Sequence, residues 1–364
     1  MKIKRMHSLT KYILLACMTS LLVPACSNLP VTNTSSLTST SSNYWPTDGW
    51  RNSTPEEQGM DVQKLEQMLA VIQERDINIH SFLIIRNGYL VSETYFDGYD
   101  QGKKHDIQSV GRSFTATLIG IAIDQGYIDG VDHRILDFFP ERTIANPDER
   151  KQAMTLEDLL TMRTGFRWQE VEGAFESMRE SPDWTQYILD MPMAESPGSR
   201  WNYCSICSHL FSGILAKTTG MNPYDFAEQN LFEPLGISDV VWIKDPAGLP
   251  LGAGGFELTP RDMAKLGYLY LRHGEWDGQQ IVSFEWVEKA TYSHVDVTMN
   301  EHLGYGYHWI TVPSMEGYAA LGGGGQTILV VPKHDLVIVT TAWTEESIFE
   351  LIEQYILPSV RDSD

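Results

Sequence analysis

Cysteine is scarce in this 364-residue chain: there are four, and Cys17 and Cys26 both fall within the first 26 residues. That leaves Cys204 and Cys207, a single C-x-x-C. A structural zinc site needs a second pair of ligands, and no such pair is evident, so no metal or other cofactor is expected. Thiol-redox chemistry expects a βαβ context that the pattern around these residues lacks. The pair therefore reads as either a short-loop disulfide or two buried thiols. Positive charge is also short, with 27 Lys and Arg against 48 Asp and Glu, a formal net charge of −21. Such a surface repels nucleic acid and anionic lipid headgroups, so neither is an expected partner. No internal repeat is visible. The histidines His294, His302, His308 and His334 are scattered without metal-ligand spacing.

The one candidate membrane segment lies at the start. Lys2, Lys4, Arg5 and Lys11 precede the apolar stretches 12–16 and 21–23, which are too short and interrupted to span a bilayer. This is the charge and hydropathy order of a secretory signal. Val23-Pro24-Ala25-Cys26 resembles a bacterial lipobox, which makes residues 1–25 a lipoprotein-type signal peptide and Cys26 the lipidated residue; an ordinary cleaved signal is the alternative. Residues 26–44, rich in Ser, Thr and Asn, read as a flexible tether. Cleavage after residue 25 removes four basic residues and no acid, leaving −25. The expected location is the bacterial cell envelope, facing the periplasm or exterior, with the membrane as partner through the anchor.

The rest, 45–362, has the composition of one enzyme-sized body, with 42% hydrophobic residues in the whole chain. Thr54-Pro55-Glu56-Glu57 carries helix-start signals, and Val62, Leu65, Met68, Leu69 and Ile72 recur at helical spacing behind it. Two apolar runs, 81–86 and 89–95, flank Asn87-Gly88, which supplies the positive φ angles of a type I′ hairpin turn. Helical patterns fill 109–124 and then 155–162, 208–219, 223–231, 259–273 and 283–291. Strand patterns return at 304–310, 318–321, 327–331 and 336–342, and 346–356 reads as a last helix. The predicted fold is α/β of the α+β type: an antiparallel sheet built from both chain ends, covered by helices, with an inserted, mostly helical region.

Three short segments carry chemistry-bearing residues. In Ser109-Val110-Gly111-Arg112, the hydroxyl and the cation share one helical face at the head of an apolar helix. A helix N-terminus favours a developing oxyanion. The second segment is Tyr203-Cys204-Ser205. The third is Gly322-Gly323-Gly324-Gly325-Gln326, running into a strand. Singly, a serine at a helix start is usually a cap, a tyrosine there is usually packing and a glycine run is usually a turn. Their order along one chain is more specific.

With Ser-x-x-Arg, Tyr-x-Ser and the glycine run in that order, the chain resembles the serine β-lactamase and penicillin-binding-protein superfamily, in its class C-like esterase and amidohydrolase branch. The segments Trp45-Pro46-Thr47-Asp48-Gly49-Trp50, Leu159-Leu160-Thr161-Met162-Arg163-Thr164-Gly165 and Leu258-Thr259-Pro260-Arg261-Asp262-Met263-Ala264 share in the resemblance, which runs over about residues 45 to 358. It implies a β-lactamase/transpeptidase-like fold and a serine hydrolase acting on small esters or amides through an acyl-serine intermediate. Ser109 then matches the nucleophile and Tyr203 the proton shuttle. Ser205 matches a polar group toward substrate or the Ser109 partner. Gln326 matches the residue whose backbone N–H, with that of Ser109, forms the oxyanion hole, and the glycines before it, Gly324 and Gly325 among them, let substrate approach the strand edge.

Two departures stand out. Arg112 occupies the place of the lysine of Ser-x-x-Lys, and a guanidinium cannot take up a proton, so Tyr203 is left as the base. Gly323 stands where relatives that recognise a substrate carboxylate carry Lys or His, which favours neutral esters or amides. A slow hydrolase is expected. The alternative is a catalytically inactive binding protein for peptide or cell-wall fragments. His105 reads as a satisfied loop histidine rather than a base, and Trp168, Trp184, Trp201 and Trp309 as core or acyl-pocket walls.

Overall fold

The computed structural model describes residues 44–171, 173, 175–297 and 302–361. The signal segment, the tether up to residue 43 and Cys26 lie outside the described residues.

An antiparallel sheet of eight strands organises the body. In chain order these are β1 (Ile79–Arg86), β2 (Tyr89–Tyr95), β3 (Val295–Asp296), β4 (Gly304–Tyr305), β5 (Ile310–Val312), β6 (Gly317–Gly322), β7 (Gln326–Val331) and β8 (Leu336–Ala342). Across the sheet the order is β2-β1-β8-β7-β6-β5-β4-β3, so the N-terminal hairpin adds directly to the C-terminal strand. The hairpin turn forms as its residues dictate: Asn87 and Gly88 have φ of 51° and 75°, and Arg86 pairs with Tyr89.

Successive residues along the central strands feed different cores. Leu83 and Ile85 of β1, Ile328 and Val330 of β7, and Val337 and Val339 of β8 join a large core shared with the helical region. Their neighbours Phe82, Ile84, Leu329 and Ile338 pack on the other face against helix α1 (Val62–Glu74) and the C-terminal segment with Ile352 and Ile356. With helices on both faces, these strands read as continuous apolar runs.

Helix α1 begins later than its sequence signals suggest. Thr54 and Glu57 do exchange backbone-to-side-chain bonds, both at 3.2 Å, but the chain leaves the turn at Gly59, where φ is 70°. Met60 then bridges to Val360, and Asp61 caps the true helix through Gln63 N–H at 3.0 Å. The capping box closes an isolated turn. The strand pattern 304–310 also splits, into β4 and β5, at a turn where His308 has a φ of 58°.

Helix α2 (Gly111–Asp124) is buried from Gly111 through Ala122, wedged between sheet and helical region. Its neighbours there include α3 (Leu210–Thr219) and α4 (Pro260–Leu271). A Cβ at Gly120 would lie 2.4 Å from Trp286, so α2 seats tightly.

Candidate active site

Ser109 lies in the 3-10 turn Gln108–Val110 that leads into α2, just outside the α-helix proper. The turn is clamped from several sides. Ile107 N–H donates to Phe256 O at 3.0 Å. Asp106 accepts from Gln108 N–H at 2.9 Å and from its Nε2 at 2.6 Å, holding Gln108 at a φ of 52°. Positive φ costs a non-glycine residue about 1–3 kcal/mol, and such backbone persists only where its surroundings over-determine it. Gly322, at the end of β6, supplies the sheet's side of the clamp: a Cβ there would sit 2.6 Å from Ile107 O and 3.0 Å from Gln108 Cβ. Gly254 does the same from the helical side, where a Cβ would meet Gln108 O at 2.8 Å.

A cavity of about 390 Å³ opens beside this turn, and Ser109, Arg112, Tyr203 and Ser205 all line it. Arg112, 4% exposed, donates from Nη1 to Tyr203 Oη at 2.5 Å. A guanidinium has no lone pair to offer, so Tyr203 is always the acceptor in this pair and its own hydroxyl hydrogen points elsewhere. Among the described residues no carboxylate pairs with Arg112, and its Nε has no partner.

The groups behind it are neutral. Tyr305 Oη and His308 Nδ1 lie 3.0 Å apart. Burial, then the nearby Tyr203, pushes the Tyr305 phenol well above its usual range. Burial, then the Arg112 charge, holds the His308 imidazole far below its own. The site thus contains a buried cation with no direct counter-ion, an arrangement that favours any anion forming beside it.

Ser205 is held by Glu170, a residue that no motif singled out. Its Oγ donates to Glu170 Oε1 at 2.5 Å and its N–H to Glu170 Oε2 at 3.1 Å; the same Oε2 accepts from Trp168 Nε1 at 2.7 Å. Cys204 and Cys207, flanking Ser205 in sequence, form a disulfide.

The glycine run and Gln326 form the β6–β7 turn and the start of β7. Gly324 and Gly325, with φ of 78° and 93°, make the β6–β7 turn, and their Cβ positions face Trp343 and Ala342 at 2.4 and 3.1 Å. The Gln326 side chain is fully buried, donating to Ala342 O at 2.5 Å and accepting from Ala342 N–H at 3.2 Å. The turn and the Gln326 side chain thus fasten β7 to β8. The glycine that abuts the nucleophile turn is Gly322. Gly323 has open space where a Cβ would stand, so there is room, and no cation, at that position.

The other candidates also find places. His105 is in no loop: it pairs in a short strand with Leu258, and its Nε2 lies 2.8 Å from His80 Nδ1. Trp184 and Trp309 belong to the core. Trp168 and Trp201 line a groove of about 1080 Å³ that shares Glu170, Val171 and Tyr203 with the nucleophile cavity.

Comparison with known proteins agrees with this architecture. A 6-aminohexanoate-dimer hydrolase of Paenarthrobacter ureafaciens is 22% identical over 315 residues, 80% of each chain. A candidate 6-aminohexanoate-dimer hydrolase from Bacillus anthracis superposes with a TM-score of 0.71 at 20% identity, covering 85% of this chain and 87% of that one. A family VIII carboxylesterase superposes with a TM-score of 0.65 at 16% identity, covering 81% and 96%. A family model described as Beta-lactamase matches residues 60–355, which include the whole Ser109, Arg112 and Tyr203 constellation. The chain belongs to the β-lactamase family, a family of serine hydrolases.

Proposed function

We propose that this chain is an exported serine hydrolase that cleaves small, uncharged esters or amides through an acyl-Ser109 intermediate. The observation that carries the reading is the buried Arg112 guanidinium, without a carboxylate partner, donating at 2.5 Å to Tyr203 Oη inside the cavity that Ser109 lines. Tyr203, whose oxygen Arg112 addresses, accepts the Ser109 hydroxyl proton as Oγ attacks the carbonyl carbon. The same phenol then protonates the departing oxygen or nitrogen. Arg112 stays charged throughout and offsets each negative oxygen in turn. Where relatives place a lysine that can itself exchange a proton, this chain has a fixed charge, and losing one general-base step costs about 10²–10⁴-fold in rate. The open position at Gly323 supports uncharged substrates. The 6-aminohexanoate-dimer hydrolase likeness supports an amide as one substrate type. The basic start, broken apolar run, lipobox-like Val23-Pro24-Ala25-Cys26 and polar tether support export and lipidation at Cys26.

Labelling with a fluorophosphonate probe, together with p-nitrophenyl acetate turnover, tests the reading. Wild type is expected to label and turn over, and Ser109→Ala to do neither. Equal signals from the two would sink it. An unlabelled wild type that gains strong hydrolysis as Arg112→Lys would instead identify a binding protein on an intact hydrolase scaffold.

A further inference from the structure

We infer that Glu170, acting through Ser205, is the proton acceptor of the deacylation half-reaction. This inference rests on the serine-hydrolase reading above. Hydrolysis of an acyl-serine needs a group that takes a proton from water, and Arg112 is unable to do so. Three carboxylates line the nucleophile cavity: Asp106, Glu170 and Glu176. Both oxygens of Asp106 are engaged by Gln108 in holding the Ser109 turn. Glu176 sits at the start of the short helix Glu176–Arg179 and is tied to no residue of the Ser109, Tyr203 and Ser205 set. Glu170 alone is joined to that set, by the 2.5 Å bond from Ser205 Oγ, a length typical of a charge-assisted O–H···O⁻ contact.

The two residues differ in a useful way. Ser205 is 1% exposed and faces the cavity, whereas Glu170 is exposed and also borders the larger groove. Together they make a proton wire from the buried reacting centre to a solvent-accessible carboxylate. Trp168 Nε1 and Ser205 N–H, at 2.7 and 3.1 Å, fix the carboxylate's orientation. Tyr203 serves acylation and the leaving group; the wire serves water.

The step balances. Water gives a proton to Ser205 Oγ as the Ser205 hydroxyl proton passes to Glu170 Oε1, and the water oxygen bonds to the acyl carbon. When the tetrahedral species collapses, the bond from carbon to Ser109 Oγ breaks. The proton on Glu170 returns through Ser205 to Ser109 Oγ. The products are the carboxylic acid and the free hydroxyl, with Glu170 ionised again.

The test follows p-nitrophenyl acetate by rapid mixing, with intact-protein mass spectrometry, in wild type and Glu170→Gln. Glutamine keeps one acceptor oxygen for the Trp168 and Ser205 bonds but is far too weak a base. The expected result is a full burst of p-nitrophenol in the variant, an acetyl group retained on Ser109, and steady-state turnover lower by about 10²–10⁴-fold. Added formate should restore turnover in part to Glu170→Ala, whose shortened side chain leaves room for it, which a merely structural residue would not show. Ser205→Ala should accumulate the same acyl-enzyme. Unchanged turnover in Glu170→Gln, or loss of the burst itself, would overturn the inference. A wild type without any burst or fluorophosphonate label would instead refute the hydrolase reading, so the two failures are separable.

Discussion

Two walls meet at the Ser109 turn, and they are built on opposite plans. The helical wall presents polar side-chain atoms to the cavity: Arg112 Nη1, Tyr203 Oη, and Ser205 backed by Glu170. The sheet wall meets the turn with backbone at Gly322, and the one polar side chain in its glycine segment, Gln326, turns inward to fasten β7 to Ala342 of β8. Chemistry that needs a particular functional group is therefore concentrated on one side, and chemistry that needs only close approach on the other. The plan fits acyl transfer, in which protons move among side chains while the carbonyl needs a smooth edge against which to lie.

The sharpest way to break this comparison is to strip the helical wall. Tyr203→Phe leaves the ring and its stacking but removes the oxygen that Arg112 addresses. Turnover of p-nitrophenyl acetate is expected to fall by about 10²–10⁴-fold. A second buried donor on Arg112 then lacks a partner, at a cost of about 1–3 kcal/mol in stability. A rate within threefold of wild type would mean that Tyr203 handles no proton.

The sheet wall predicts a contrast between adjacent glycines. Gly322→Ala forces a methyl group against Ile107 O and Gln108, and the Ser109 turn must shift. Overpacking of this kind costs about 1–3 kcal/mol, and displacing the nucleophile by about 1 Å costs on the order of 10²-fold in rate. Gly323→Ala meets no atom within 4 Å and should leave both fold and rate near wild type. Thermal melts and ester turnover of the two variants check this directly. Equal effects would show that the sheet wall does not set the position of Ser109.

That contrast also explains what the sequence made legible. Ser109, Arg112 and Tyr203 were readable because each is a distinctive side chain at a fixed spacing on one element. The Asn87-Gly88 hairpin was readable because its φ angles are a local property of those two residues. Among the consecutive glycines, nothing local separates Gly322, which abuts Ile107, from Gly325, which abuts Ala342; the sheet register decides that. Glu170 was hidden for a similar reason, as one acid among 48 in a loop, meaningful only once folding sets it beside Ser205. The capping box at Thr54 and Glu57 was real but predicted the wrong helix start, because Gly59 and the bridge from Met60 to Val360 overrode it.

Gln326→Leu separates stability from catalysis. Leucine fills similar volume but leaves Ala342 N–H and O unpaired in the core, for about 1–3 kcal/mol apiece. The melting temperature should drop, while turnover per folded molecule stays within a few-fold of wild type. A large loss of turnover at full stability would give the Gln326 side chain a part in the reaction itself.

The smallest expected effect concerns acid, and it falls first on the β4–β5 turn behind Arg112. His308 sits behind Arg112, with Ser113 Oγ donating to its carbonyl at 2.7 Å, and both burial and the guanidinium charge hold its imidazole far below 6.5. Burial and His105 lower His80 as well. In the unfolded chain both rings gain protons near pH 6.5, while the folded rings stay neutral, so folding stability is complete above that pH. It declines as pH falls from 6.5 toward the folded pKa values, by under about 1 kcal/mol per ring at pH 6 and more steeply below. Denaturant melts at pH 7.5, 6 and 5 should show this decline. Hydrogen exchange at pH 5 should find the amides of 305–309 and the first turn of α2 opening before those of β7 and β8. Uniform opening across both walls would mean that the acid response comes from the carboxylate-rich surface rather than from the ring behind Arg112.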